Sequence, residues 1–462
     1  MEADIGESGL ADQSPLVFAS DWLGSEPYFY NALTGCHGRS IWDAIDLSNI
    51  EIDTAGLGDY LRFGYSVFGA TPIKNVKFLR PNQELYVNKN SNTVIQQNKR
   101  DVVSDWQETV TSTENAIDLF YQWHPASSET RILPLSGGLD SRMLLLNLLS
   151  NGDKPRCFTY GTSQRQVDSN EVSTARQVAE QADCEWSLVL LDSYHSEIDW
   201  WFEHFGPSVH LHGMYQVEFY RKLSSLLKGG LVVSGIVGDL WAGSISTFQP
   251  KSPHDLLAMG LTRGISVSED TFLRNIRDSN MEREFSEVRG MLADPLQQIV
   301  YLIRTKMMLL SYMREVPKLF GFEVESPFLD PDIALSFSTI KQTDRDDRNW
   351  QRRHLRAAGY LKDSYNIGNS AVTMDLGQLA RQGLHPLDES LLGKYIQPAF
   401  LRWVNSRVIQ LPYRDRAWLF LTEQRRVLPS IGNLLRTNST TKAYSAYMCL
   451  KPIENLLRIA SQ

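Results

Sequence analysis

The sequence predicts an α/β protein: a parallel sheet with crossover helices, preceded by a smaller β-rich unit and followed by a helical segment. Three observations predict it. From about residue 115 to 240, short apolar runs alternate with helical stretches, the pattern of strands joined by crossover helices. Residues 15 to about 100 instead carry short apolar and aromatic runs split by turn residues. Beyond about 390 the segments read as helical and no strand pattern returns. The expected units are residues 1–105, 106–390 and 391–462.

Taken in order, residues 1–14 are polar and expected to be loose. Pro15-Leu-Val-Phe-Ala-Ser-Asp and Pro27-Tyr-Phe-Tyr-Asn, split by Leu23-Gly24-Ser25-Glu26, have a hairpin pattern. Gly56–Gly69 reads as a helix packed on these strands. A second hairpin is expected over Leu85–Gln96 with its turn at Lys89–Asn92. Arg131–Leu135 reads as a buried strand and Arg142–Leu149 as the helix after it, stopped by Asn151-Gly152. Lys154–Gly161, Trp186–Leu191 and Gly230–Ser234 are the next strands. Between the first two of these, Asp168 is expected to cap a helix, with Glu171 three residues on as in a capping box. Leu296–Leu319 reads as one apolar helix ended by Pro317, with Arg304, Lys306, Arg314 and Lys318 on solvated faces; a cation for pyrophosphate is the alternative. Asp330 before Pro331-Asp332 is an expected N-cap.

The chain has 462 residues, 42% hydrophobic and 22% charged, with a formal net charge of −8. That is a globular composition, and it predicts no general attraction to nucleic acid or to an anionic membrane. No apolar run approaches the roughly 20 residues of a membrane span. The opening Met-Glu-Ala-Asp-Ile-Gly-Glu is acidic and unlike a signal peptide. Cys36, Cys157, Cys184 and Cys449 show no metal or redox spacing, which predicts buried free thiols in a reducing, cytoplasmic compartment. His204, His210 and His212 lack the pairing of a metal site and read as surface or helix-flanking residues.

Two loops carry chemistry. The first is Leu135-Ser136-Gly137-Gly138-Leu139-Asp140-Ser141, between strand and helix. Two glycines let bare N–H groups approach an anion, and the helix start adds its own free N–H groups and a partial positive charge. Ser136 and Ser141 can donate to phosphate oxygens. Asp140 is a poor neighbour for phosphate unless a cation lies between them, which argues for Mg²⁺. The second loop is Ser234-Gly235-Ile236-Val237-Gly238-Asp239-Leu240-Trp241-Ala242-Gly243, at the carboxyl end of a parallel strand, where such sheets bind ligands. Asp239 is the candidate second carboxylate for that Mg²⁺; a plain helix cap is the alternative. Neither loop is a Walker motif or a dinucleotide fingerprint.

The first loop resembles the Ser-Gly-Gly-x-Asp-Ser loop of N-type ATP pyrophosphatases. Within that group the chain resembles the asparagine synthetase family, which includes β-lactam synthetases and lasso-peptide cyclases. Asp21-Trp-Leu-Gly-Ser-Glu-Pro-Tyr-Phe-Tyr is similar to a strand pair in the second half of that family's glutaminase domain. Asp59-Tyr-Leu-Arg-Phe-Gly and Phe78-Leu-Arg-Pro-Asn follow in the family's order. Ser234–Gly243 resembles its Ser-Gly-x-Gly-x-Asp-Glu loop, and Gly321–Asp330 resembles Gly-x-Glu-x-Arg-x-Pro-Phe-Leu-Asp. Arg353-His-Leu-Arg-Ala-Ala resembles its Leu-Arg-x-Ala helix.

The resemblance implies an ATP-pyrophosphatase (adenine nucleotide alpha hydrolase-like) synthetase domain after a truncated glutaminase-like unit. It implies that Leu135 and Tyr160 meet the adenosine through their backbone and that Ser234 and Gly235 contact adenine and ribose. Ser136, Gly137, Gly138, Asp140 and Ser141 would hold the pyrophosphate, with Asp140 and Asp239 catalytic through Mg²⁺; Asp168 would lie near the nucleotide. The implied cofactors are ATP and Mg²⁺, and the implied partners are a carboxylate substrate, small molecule or peptide, and an amine or ammonia. Position 2 is Glu2 where the family has its cysteine nucleophile, so no glutaminase activity is expected. Five departures stand out. Val237 occupies the place of the second glycine. Ile236 and Leu240 replace acids. Glu325 replaces the arginine, and the family's adenylation lysine has no counterpart in Tyr365–Thr373, with Lys362 the nearest substitute. The expected activity is an ATP-dependent amide-forming ligase releasing AMP and pyrophosphate. A ligase or cyclase for a peptide or other natural product and an ATP-binding pseudoenzyme stay open beside it.

Overall fold

A computed structural model describes residues 15–88, 93–106, 112–161, 165–259, 264–276, 279–361, 371–423 and 438–462. The first strands are β1 Leu16–Ala19, β2 Phe29–Asn31, β3 His37–Gly38, β4 Val76–Phe78, β5 Gln83–Asn88 and β6 Thr93–Asn98. They form two small sheets, ordered β1-β5-β6 and β3-β2-β4. The β5–β6 hairpin is as expected, in register from Gln83↔Asn98 to Asn88↔Thr93; its turn lies outside the described residues. The other expected hairpin is not formed. β1 pairs with β5 and β2 pairs with β3 and β4, so the two runs belong to different sheets. The reason is local. The Asp21 carboxylate accepts from the Leu23 and Ser25 amides and the Ser25 hydroxyl, closing a wide loop rather than a tight turn. Helix α1, Thr54–Phe63, starts at the Asp53 cap and stops at Gly64 (φ +86°), short of the Gly69 expected from sequence.

The main sheet has five parallel strands: β7 Arg131–Pro134, β8 Arg156–Thr159, β9 Trp186–Leu188, β10 Leu231–Val233 and β11 Glu323–Glu325. Their order is β11-β10-β7-β8-β9. The chain therefore winds outward from β7 to β9, then returns and winds outward the other way through β10 and β11. The reversal lies between β7 and β10. Four strands fall inside the runs expected from sequence. β11 carries two acids in three residues and gives no apolar signal.

Helix α2, Thr113–Gln122, leads towards β7; α3, Leu139–Ser150, follows it and ends at Asn151 with Gly152 at φ +83°, as expected. Helix α4 spans Asn170–Gln181. Its cap is Ser169, whose hydroxyl accepts from the Val172 amide at 3.2 Å, and not Asp168, which is exposed in the preceding turn. Helix α5 is Met214–Leu226. The expected long helix is two, α6 Pro295–Leu310 and α7 Tyr312–Leu319, broken at Ser311, with Pro317 inside α7 rather than ending it. A proline so near a helix end removes little, because few turns follow it. Helices α8, Pro331–Ser338, and α9, Asn349–Ala357, come next; Asp330 caps α8 by accepting from Asp332 and Ile333. A helical C-terminal region ends in α10, Asn438–Ala460, packed on the helix Pro398–Val408.

One hydrophobic core runs from Leu23 to Leu456 and crosses residues 105 and 390 without a break. No described helix is long and apolar enough to cross a membrane. The four cysteines are free; Cys157 and Cys449 are buried as expected and Cys184 partly so, but Cys36 is exposed, because it sits just before β3 at the edge of a small sheet. Cys157 and Cys184, distant in sequence, lie on neighbouring segments: Cys157 pairs with Trp186, two residues past Cys184, and the thiols donate to the Pro155 and Ala182 carbonyls.

Three of the four cations of α6 and α7 are ion-paired rather than on free solvated faces. Arg304 donates to both oxygens of Asp101 at 2.6 and 2.7 Å and to the Trp22 carbonyl. Arg314 and Lys318 both reach Glu26, and so does Arg39. Arg304, Arg314 and Lys318 therefore clamp the N-terminal part of the chain to the helices and are not free for a phosphate. Burial pushes the Glu26 carboxyl up, but the Arg39, Lys318 and Arg314 charges outweigh it and hold it at about 2. A carboxylate depressed from 4.5 stabilises the fold above pH 4.5 and loses that contribution as pH falls towards 2. Glu26→Gln is expected to remove about 2 kcal/mol at neutral pH, after allowance for solvent at the exposed Arg39. It should also flatten the acid limb of stability between pH 4.5 and 2, read by urea unfolding at stepped pH. An unchanged acid limb would show that the clamp contributes nothing.

Candidate functional site

Neighbouring strands β7 and β10 deliver the two loops to the same end of the sheet, on either side of the winding reversal. In an open parallel sheet this is where a crevice forms, because the connections leave to opposite faces. The loops touch. A Cβ built on Gly235 would lie 3.6 Å from the Asp140 Cβ and 3.7 Å from Leu144 Cδ1.

The first loop is internally tied. The Ser136 and Ser141 hydroxyls lie 3.0 Å apart, Ser141 Oγ accepts from the Ser136 amide, and Ser136 Oγ accepts from the Gly138 amide. Helix α3 starts at Gly138 with no side-chain cap, so its first amides face the loop mouth without an internal acceptor. Gly137 packs on the start of α4: a Cβ there would be 3.3 Å from the Glu171 Cα. Buried Arg142 donates to the Gly137 and Tyr360 carbonyls and holds the loop from behind. At the strand end, the Leu135 amide donates to the Phe158 carbonyl at 2.9 Å, and its carbonyl accepts from Thr159 Oγ1 at 2.6 Å. Tyr160, just past β8, packs against Tyr215 and Phe219, and its hydroxyl accepts from Gln216 Nε2. Burial, with the Tyr215 hydroxyl adding, pushes its phenol well above the ordinary value. These rings wall the same end of the sheet.

The second loop is rigid for different reasons. Ser234 donates its amide to the Glu325 carbonyl, and its hydroxyl accepts from the Ile236 amide. Leu240–Ser244 forms a π-helical turn, a geometry that recurs at functional sites. The Trp241 indole donates to the Phe328 carbonyl and the Trp350 indole to the Ala242 carbonyl. Gly238 lies against the Phe328 ring. Ile236 and Leu240 are buried, and Glu325 receives the Ala126 and Ser127 amides at 2.8 and 3.1 Å. These three of the departures named above are thus engaged in packing and local hydrogen bonding.

Val237 has φ +56°, the backbone a glycine would adopt, although it is β-branched. Holding an L-residue there costs about 1–2 kcal/mol. Both Val237→Gly and Val237→Ala lose the same kind of buried contact. The glycine variant is nevertheless expected to be the more stable of the two by about 1 kcal/mol, the reverse of the usual order, because only alanine keeps the strain. Denaturant midpoints of the pair read the difference, and alanine ahead of glycine would show the loop relaxes.

Asp239 lies near enough to Asp140 for its charge to act there. Burial pushes the Asp140 carboxyl up, the Arg348 guanidinium opposes, and the like charge of Asp239 pushes up again; the result is raised. Asp239 Oδ2 accepts from Ser244 Oγ at 3.2 Å. Asp140 Oδ1 accepts from Arg348 Nη2 and, at 3.2 Å, from Gln351 Nε2. Among the described residues its Oδ2 takes no donor. Two carboxylates close enough to repel, beside open helix amides, fit Mg²⁺, which binds through one or two carboxylates plus phosphate oxygens. They do not suit a metal held by protein alone, and no group of three or more metal-ligating side chains occurs among the described residues. His204 stacks on Trp200 and bonds its carbonyl; His210 Nδ1 accepts the His212 amide. Neither histidine joins the site.

Asp168 stands apart from both loops' hydrogen bonds, in a shallow hollow with Arg165, Leu190 and Arg381. Lys362 and residues 365–370 lie outside the described residues. Two site residues carry no sequence signal, Arg348 and Gln351, because neither sits in a recognisable motif. The only available hint is the concentration of arginines from 345 to 356. Compared with protein-family models and with curated proteins, the chain matches none.

Proposed function

We propose that this chain is an ATP-dependent carbon–nitrogen ligase of the asparagine synthetase type, activating a carboxylate as its adenylate, releasing pyrophosphate and passing the acyl group to an amine or ammonia. The observation that carries it is the meeting of the Ser136–Ser141 and Ser234–Gly243 loops at the reversal between β7 and β10, with Gly235 against Asp140 and the Asp239 charge acting on Asp140 there. Strand order is not part of either motif, so the agreement is independent of the sequence resemblance.

The residues then have definite work. The free amides of α3 and the Gly137–Gly138 backbone would receive the pyrophosphate end of ATP. Ser136 and Ser141, now bonded to each other, can turn their hydroxyls to phosphate oxygens. The Tyr160 wall and the Ser234–Gly235 backbone would border the adenosine. Asp140 and Asp239 would hold Mg²⁺, which neutralises charge developing on the leaving group. A substrate carboxylate oxygen attacks the α-phosphorus, the bond to the β-phosphate oxygen breaks, and pyrophosphate leaves. An amine then attacks the acyl carbon and AMP departs.

Buried Ile236 and fully engaged Glu325 leave no acid and no arginine at the places the family uses for its acidic substrate. This favours a carboxylate other than free aspartate, such as one carried by a peptide or other natural product. The test is AMP and pyrophosphate release from Mg-ATP, with aspartate and ammonium present or absent. Pyrophosphate with AMP supports the ligase reading, and aspartate dependence would name the acid. Release of ADP and phosphate would overturn the reading, and nucleotide binding without turnover of any acid would support the pseudoenzyme instead.

A further inference from the structure

The segment Arg345–Gln351 lies over both loops. The Arg345 carbonyl presses on Gly243, Arg345 Nη2 approaches the Trp241 carbonyl at 3.5 Å, and Trp350 bonds Ala242. Asp347 and Arg348 both have positive φ, +50° and +58°, two successive non-glycine residues in the left-handed region. That bend aims Arg348 across the crevice at the first turn of α3. There a closed triangle forms. Arg348 Nη2 donates to Asp140 Oδ1, Arg348 Nε donates to Gln351 Oε1 at 2.7 Å, and Gln351 Nε2 donates to the same Asp140 oxygen. Gln351 is fully buried, so it fixes the guanidinium's plane.

We propose that Arg348 is the cation that receives the leaving pyrophosphate, and that it is kept on Asp140 until that carboxylate is taken by Mg²⁺. This rests on the ligase reading above. The carboxylate that would hold Mg²⁺ is already neutralised by a guanidinium on Oδ1; Mg²⁺ arriving at the open Oδ2 would draw on the same single negative charge and repel the guanidinium, so the two cations compete for one carboxylate. Released from Asp140, the guanidinium stays at the open amides of α3, where a diphosphate would lie. Its planar fork suits two phosphate oxygens at once, which a lysine cannot match. Of the other cations near the loops, Arg142 is engaged behind the first loop and Arg345 is buried against carbonyls. The exchange also gives an order of events: the metal-free site is closed by its own arginine and opens as Mg²⁺ arrives.

The experiment is calorimetric titration of the full chain with Mg²⁺ alone and with inorganic pyrophosphate in Mg²⁺. It compares wild type, Arg348→Ala, Arg348→Lys, Arg348→Gly and Asp140→Ala. Arg348→Gly suits the φ +58° backbone and guards against misfolding. Removing the guanidinium, by alanine or glycine, is expected to tighten Mg²⁺ binding about tenfold and to weaken pyrophosphate about tenfold, one lost charge-assisted contact each way. Lysine should fall between wild type and alanine for pyrophosphate. Opposite signs are the signature, since a merely structural role would weaken both. Changes of the same sign, or none, with pyrophosphate binding still lost in Asp140→Ala, would overturn the exchange and leave the ligase reading standing. No pyrophosphate binding by wild type, or binding indifferent to Asp140, would overturn both.

Discussion

Asp140→Asn is expected to reduce AMP and pyrophosphate formation by on the order of a thousandfold while leaving thermal stability unchanged or higher. The loss follows from removing one of two carboxylates that would hold Mg²⁺ against the leaving group, where a single preorganised contact is worth two to three orders of magnitude. The stability half follows from the direction of the Asp140 shift. Its carboxyl is raised by burial and by Asp239, against the pull of Arg348. A folded-state value above the unfolded one means that the fold favours the neutral form, so the charge at neutral pH is a net burden without metal. Asparagine has the shape of that neutral form and keeps an oxygen to accept from Arg348 and Gln351. A melt without Mg²⁺ beside the activity assay reads both halves. A variant that loses activity because it unfolds would contradict this account, as would one that keeps forming AMP. The trade of stability for function at one residue is the pattern expected of a reactive site.

The second large effect is structural. Gly243→Ala is expected to destabilise the protein by more than about 3 kcal/mol, because two mechanisms coincide. Gly243 has φ +116°, and an added Cβ would lie 2.2 Å from the Arg345 carbonyl oxygen, backbone that cannot swing away. Gly235→Ala, in the same loop, should behave in the opposite way. Its Cβ would meet Asp140 and Leu144 at ordinary contact distance, so the melt should stay within about 1 kcal/mol of wild type. That methyl would nonetheless stand in the crevice and should weaken Mg-ATP binding. Paired melts and nucleotide titrations separate the two. Equal losses of stability in both variants would mean that the loop's glycines all serve packing.

The glycines show how much the sequence disclosed. Their density after β10 marks a loop, but it does not separate Gly238 and Gly243, required by Phe328 and Arg345, from Gly235, which the packing does not require. Val237 is the converse, a position with a glycine's backbone and no glycine to announce it. The same holds for charge. Arg304, Arg314 and Lys318 read as solvated because periodicity records only the face they share. Their carboxylates, Asp101 and Glu26, come from elsewhere in the chain.

What the sequence alone determined is whatever a few adjacent residues decide. It set the strand–loop–helix passage at Asp140, the stop at Asn151-Gly152, the Asp330 cap and the residue types of both loops, since turns, caps and free amides depend on near neighbours. Tertiary structure alone decided which strands became neighbours. β1 passes over β2 for β5, and β10 settles beside β7, because strand pairing is chosen by the burial of whole faces and not by local propensity. That choice brought Asp239 to Asp140 and laid Arg348 across both loops, so the residue types were written locally and their meeting was decided by the packing of distant segments.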